Sequence, residues 1–107
     1  MKSPDFIATL YYLTEDEGGR TSPVSLGYRP GIQFPFDSMQ TSGEQEFIGV
    51  SRAFPGNKVE ARIRIASVDY FAGKLDKGLS FEFKEGDRIV GTGVINSIIN
   101  DELKSVS

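Results

Sequence analysis

A chain of 107 residues suits one folding unit and is short for two. With 38% hydrophobic residues it holds about 41 apolar side chains, enough for a core that buries roughly 65% of the unfolded surface. Cysteine and histidine are both absent, which removes disulfides, thiol catalysis, cysteine- or histidine-ligated zinc and the Ser-His-Asp arrangement together. The formal net charge is −3, opposite in sign to the basic balance of a general nucleic-acid binder.

Residues 6–13 form the first apolar run, preceded by Lys2, Pro4 and Asp5 and closed by Thr14-Glu15-Asp16-Glu17. Thr9 interrupts it, and no small-residue cleavage site comes after it, so it does not read as a signal peptide. No stretch approaches the ~18 apolar residues of a membrane-spanning helix. The run reads as a first strand, and the expectation is a soluble, cytoplasmic chain with no membrane partner. Gly18-Gly19 ends that strand, and Pro23, Gly27, Pro30, Gly31 and Pro35 divide the next stretch of chain into short extended pieces. In the third piece Ile32, Phe34 and Phe36 are expected on one face, with Gln33 opposite. Thr41-Ser42-Gly43 and Phe54-Pro55-Gly56-Asn57 supply further turns.

From residue 58 to 66, Val59, Ala61, Ile63 and Ile65 alternate with Lys58, Glu60, Arg62 and Arg64. That is the pattern of a half-buried strand. Leu79, Phe81 and Phe83 repeat it against Ser80, Glu82 and Lys84. Glu85-Gly86-Asp87 provides turn chemistry, and residues 88–99 run back, so 79–99 predicts a β-hairpin. Gly91 and Gly93 share one face of the return strand, where a missing side chain lets the strand bend or a neighbour approach. No stretch of ten or more residues shows a 3.6-residue repeat, so little helix is expected. Five to seven short strands with frequent turns predict an all-β fold, a small closed or nearly closed barrel. The expectation is a single domain over 1–107, with its core at about residues 5–99 and a frayed polar tail at 100–107.

The motifs of enzymes are not there. Gly73-Lys74-Leu75 has the wrong third residue for a phosphate loop, so neither GTP binding nor nucleotide hydrolysis is expected. Gly91-Thr92-Gly93-Val94-Ile95-Asn96 resembles a dinucleotide fingerprint but lies inside a strand, where its glycines are structural. Glu15-Asp16-Glu17 matches no calcium loop and reads as a solvated turn beside Gly-Gly. No cofactor and no metal are expected. Lys58, Arg62 and Arg64 make a basic stripe, but Glu60 in its middle marks it as the charged outer face of a sheet. The 8 Phe and 4 Tyr are assigned to the core rather than to base stacking.

Several segments together are similar to a known family. They are Leu13-Thr14-Glu15-Asp16-Glu17-Gly18-Gly19-Arg20, Gly27-Tyr28-Arg29-Pro30, Pro55-Gly56-Asn57 and Gly78-Leu79-Ser80-Phe81. The closing stretch Lys84-Glu85-Gly86-Asp87-Arg88-Ile89-Val90-Gly91-Thr92-Gly93-Val94-Ile95 completes them in compatible order. The whole resembles the C-terminal domain of bacterial elongation factor Tu, over about residues 5–99. Met1 stands just before the first strand, so the chain reads as a free-standing version of that domain.

The resemblance implies a six-stranded antiparallel β-barrel. In the family this domain packs on the GTPase domain, contacts the exchange factor and helps grip the T-stem of aminoacyl-tRNA. Carried over by resemblance, the RNA- or partner-binding residues are Arg20, Arg29, Lys84, Glu85, Gly86 and Arg88. The departures are chemical. Thr21 replaces a histidine and Gly31 a glutamine; Lys84 stands for an arginine, losing its planar fork. Asp87 replaces a glycine and puts negative charge beside the hairpin tip, and Glu82 replaces an alanine. Residues 39–42 depart from the family pattern, and 70–74 read as an insertion. The scaffold is better kept than the RNA contacts. The expected function is a non-enzymatic binding module for a protein partner; the alternative is a residual, weak tRNA-binding accessory domain linked to translation.

Overall fold

Period-two patterning closes into a barrel. The computed structural model describes residues 2–105. In chain order the strands are β1 (Phe6–Tyr12), β2 (Val24–Ser25), β3 (Gly31–Gln33), β4 (Gln40–Ile48), β5 (Arg52–Ala53), β6 (Lys58–Ile65), β7 (Ser80–Glu85) and β8 (Arg88–Ile98), with a one-turn helix α1 (Val68–Phe71) between β6 and β7. Six of the strands form a closed antiparallel barrel in the order β1-β6-β4-β3-β7-β8, and β2 with β5 makes a separate two-stranded ribbon. The predicted hairpin is β7–β8, turning at Gly86 with φ of +64°, a left-handed conformation that favours glycine.

Alternation sets which side chains fill the barrel. Phe6, Ala8, Leu10 and Tyr12 of β1 point inward against Ile63, Ala61 and Val59 of β6, and all are buried. On the other side of β1, Gly91 and Gly93 face Phe83 and Phe81 across the β7–β8 ladder. A Cβ at either glycine would overlap the opposing ring. The glycines are therefore the space the two phenyl rings occupy, which is the close approach expected of them.

Two expectations need correction. Phe36 does not follow Ile32 and Phe34 into the core: the chain turns after Phe34, with the Asp37 amide bonded to the Phe34 carbonyl at 3.2 Å. Alternation stops there, and Phe36 stacks on Phe34 from outside, ring centres 5.8 Å apart and 48% exposed. The segment after β8 does not fray either. Asn100 caps a 3-10 turn (Asp101–Leu103) by accepting from the Glu102 amide, and Leu103 is fully buried. Leu75 and Lys104 form a parallel bridge, with the Leu75 amide 2.9 Å from the Leu103 carbonyl. One leucine among polar residues carries no period, so pattern reading could not see that it seals the barrel with Phe71 and Leu75. Residues 106 and 107 of the expected tail lie outside the described residues.

Asp5 ties these pieces together. Its buried carboxylate accepts from the Ile65 amide at 2.8 Å, Lys2 Nζ at 2.9 Å and Asn100 Nδ2 at 3.0 Å. Its carbonyl accepts from the amides of Ile99 and Asn100. One residue thus joins the start of β1, the end of β6 and the chain leaving β8.

Candidate partner-binding site

The Thr14–Gly19 turn folds on itself, with the Gly19 amide bonded to the Thr14 carbonyl at 2.8 Å. Glu17 stays at its surface, accepting from the Thr14 amide and the Tyr11 hydroxyl. Arg88, at the start of β8, holds the turn from the other side: its Nε donates to the Gly18 carbonyl at 3.0 Å, and its Nη2 donates to the Gly19 carbonyl. Among the described residues no group of three or more carboxylates is placed to hold a metal ion.

With the turn fixed, Arg20 lies against the end of β7. Its guanidinium donates to Glu85 Oε2 and sits 5.4 Å from the centre of the Tyr28 ring. Tyr28 Oη donates to the same carboxylate oxygen at 2.6 Å. Burial works to raise the Glu85 carboxyl, but the bonds from Tyr28 and Arg20 outweigh it and hold it below the usual carboxylate range. Burial first, then Glu85, pushes the Tyr28 phenol well up. Deeper in, Tyr12 packs 6.3 Å from Tyr28 and donates to Gln45 Oε1, while the buried Gln45 Nε2 has no hydrogen-bond partner among the described residues.

Five of the six residues carried over by resemblance meet at this β7–β8 turn, and each is engaged inside the chain. Arg20 and Glu85 bond each other. Arg88 grips the glycine turn. Lys84 Nζ donates to Gln33 Oε1 at 2.5 Å and is only 15% exposed. Gly86 forms the tip, its carbonyl 3.5 Å from Gln40 Nε2. Arg29 stands apart, paired with Glu44 at 3.2 Å on the β4 side and 60% exposed. Tyr28 and Pro30 run beside β4, their carbonyls accepting from the Gln45 and Gly43 amides. The Tyr28-Arg29-Pro30 motif is thereby an extended lead-in to β3.

Sequence reasoning missed the apolar groups beside this end. Leu26 is 81% exposed, directly after β2, and Val50 and Phe54 flank β5 with about half their surface in water. Each stands singly among glycine, serine and proline, where no periodicity marks it.

A family model described as the elongation factor Tu C-terminal domain matches residues 1–99. The chain belongs to that family. The closed six-stranded antiparallel barrel agrees with the membership, and the expected fold class is the observed one. As a domain of the elongation factor Tu C-terminal type it is a non-enzymatic β-barrel.

Proposed function

We propose that this barrel is a protein-binding module of the translation apparatus, acting in the cytoplasm. The observation that carries the reading is the internal engagement of the cations: Arg20, Lys84 and Arg88 spend their hydrogen bonds on Glu85, Gln33 and the glycine turn. Phosphate contacts need such groups free to exchange counterions for RNA. Exposed apolar side chains stand nearby, Leu26 foremost, among exposed polar and charged ones such as Ser22, Arg52 and Asp87. Exposed apolar groups rimmed by polar ones suit a protein partner. The contact surface in this reading is the Arg20–Glu85–Tyr28 end together with the β2–β5 ribbon.

Weak tRNA binding is the second reading. Arg29 favours it, standing exposed beside Lys2 and Arg64 around a shallow depression of about 380 Å³. Asp87 at the hairpin tip and a net charge of −3 oppose it.

The deciding experiment combines two measurements on the whole chain. Titration with labelled tRNA at low salt should give no submicromolar binding, and whatever binding occurs should fall steeply with salt. Affinity capture should retain a protein partner that Leu26→Asp releases and Arg29→Ala does not. Submicromolar tRNA binding abolished by Arg20→Ala with Lys84→Ala would reverse the ranking.

A further inference from the structure

Glu85 is the last residue of β7, beside Gly86 at the turn and just past the register shift between Phe83 and Lys84. Its Oε2 accepts from both the Arg20 guanidinium and Tyr28 Oη. Its Oε1 has no hydrogen-bond partner among the described residues, and water reaches the side chain. One carboxylate oxygen thus fills the point on which two donors converge.

The donors are held by contacts that do not involve Glu85. Arg20 Nε donates to the Ser22 carbonyl at 3.2 Å and its Nη2 to Ser22 Oγ at 3.3 Å. The guanidinium also lies 5.4 Å from the centre of the Tyr28 ring, and that ring packs 6.3 Å from Tyr12. When the Glu85 side chain swings out to water, Arg20 Nη1 and Tyr28 Oη still point at the same place. Preorganised donors of this kind bind an anion without first being ordered.

We infer that Arg20 and Tyr28 form a carboxylate-binding site, which Glu85 fills in the free chain and which an Asp or Glu side chain of a protein partner takes over. The inference rests on the protein-binding reading and names the chemistry that its partner brings. A carboxylate is the ligand because a carboxylate already occupies the donors. The number of available cations favours protein over RNA. Arg20 alone serves the site, since Arg88 is spent on the glycine turn and Lys84 on Gln33. A phosphate backbone is tracked by several cations in line. Asp87, exposed in the same turn, repels a polyanion further. Ser22, which anchors Arg20, stands two residues before β2, so the site joins the ribbon that carries the exposed Leu26 and Phe54.

Glu85 competes with an arriving carboxylate because it is tethered, and a short tether confers a high effective concentration. The free chain therefore discriminates against isolated anions, and removing Glu85 should uncover the site.

The test needs no partner, so it can fail while the protein-binding reading stands. Acetate is titrated into the whole chain at constant ionic strength, balanced with chloride, and the Tyr28 ring resonances are followed by NMR. In Glu85→Ala the shifts should saturate, at an acetate concentration about tenfold or more below that needed by the wild type. Glu85→Gln, whose amide oxygen still accepts from both donors, should fall between the two. Adding Arg20→Ala to Glu85→Ala should remove the saturable shift, with circular dichroism showing the same barrel in every variant. Dimethyl phosphate, which carries the charge of one backbone phosphate, should bind Glu85→Ala more weakly than acetate does. The inference is overturned if Glu85→Ala shows no saturable shift, or if wild type and Glu85→Ala bind acetate equally. Tighter binding of dimethyl phosphate than of acetate would also overturn it, and would assign the site to nucleic acid.

Discussion

Around Phe6 the barrel is plugged by rings: Phe34 and Phe81 meet Phe6 at 6.5 and 5.8 Å, and Phe71 meets Phe34 at 5.1 Å. Leu75 and Leu103 complete the plug. Around Tyr12 rings are also present, Phe83 at 4.9 Å and Phe47 at 6.4 Å. There, however, polar links run among them, Tyr12 to Gln45 and Tyr28 through Glu85 to Arg20. Carbon packing gains free energy from every atom taken out of water, whereas a hydrogen bond largely replaces one already made with water. The Phe6 end is therefore expected to hold the fold, and the Tyr12 end to be free for recognition.

The largest effect should come from opening the plug. Phe71→Ala should cost about 3–5 kcal/mol and Leu103→Ala about 2–5 kcal/mol, each through lost transfer energy and a residual cavity. Urea unfolding followed by circular dichroism measures both. A cost under about 1 kcal/mol for both variants would mean that residues 68–75 and 100–105 merely lie on a barrel already closed.

Next in size is the carboxylate below the plug. Asp5→Ala removes the acceptor for the Ile65 amide and Asn100 Nδ2. Losing a charged acceptor that leaves buried donors unmatched should cost about 2–3 kcal/mol. Asp5→Asn should recover part of it, since an amide oxygen still accepts from the Ile65 amide. Equal losses in the two variants would show that the charge itself, through Lys2, matters more than the bonds.

The two ends were not equally legible in the sequence. Strands β6 and β7 announced themselves, because each has one wet face and alternation reports that directly, and β8 followed as the return from the turn at residues 85–87. The glycines of β8 could be read for the same reason: a residue without a side chain on an inward position has to be filled from elsewhere. Leu103 and Asp5 were illegible. Their roles depend on contacts distant in the chain, such as Asp5 with Ile65 and Asn100, and no local pattern encodes such a partner. At the Tyr12 end the resemblance named residues that the fold brings together, such as Arg20 and Glu85, but not how they bond one another. That Arg20 faces Glu85 rather than solvent depends on how the Gly-Gly turn is clamped by Arg88, a contact between residues 70 apart.

A smaller effect should come from Gly91→Ala, which sits beside Tyr12 in the β1–β8 ladder. The added methyl would strike the Phe83 ring, which itself touches Tyr12. Overpacking of this kind costs about 1–3 kcal/mol. The compensating change Phe83→Leu, which vacates the ring's space, should return part of the loss when combined with it. A Gly91→Ala variant as stable as the wild type would show that the Tyr12 end yields by moving Phe83, and would strengthen the contrast with the Phe6 end.

The smallest effect belongs to Glu85→Gln. The Glu85 side chain is 34% exposed, so solvent screens its pairing with Arg20, and the stability loss at pH 7 should stay within about 1 kcal/mol. Its pH dependence has a definite sign. The folded carboxyl titrates below its ordinary value, so the stabilisation is present above the unfolded carboxylate value near ~4.3. It is lost as pH falls through the lower folded value. The gap between wild type and Glu85→Gln should therefore be full at neutral pH and close below about pH 4. Other carboxylates titrate in the same range, and taking the difference between the two proteins removes them. A gap above about 2 kcal/mol that persists unchanged into acid would make the Tyr12 end as structural as the plug, and would remove the reason for expecting recognition there.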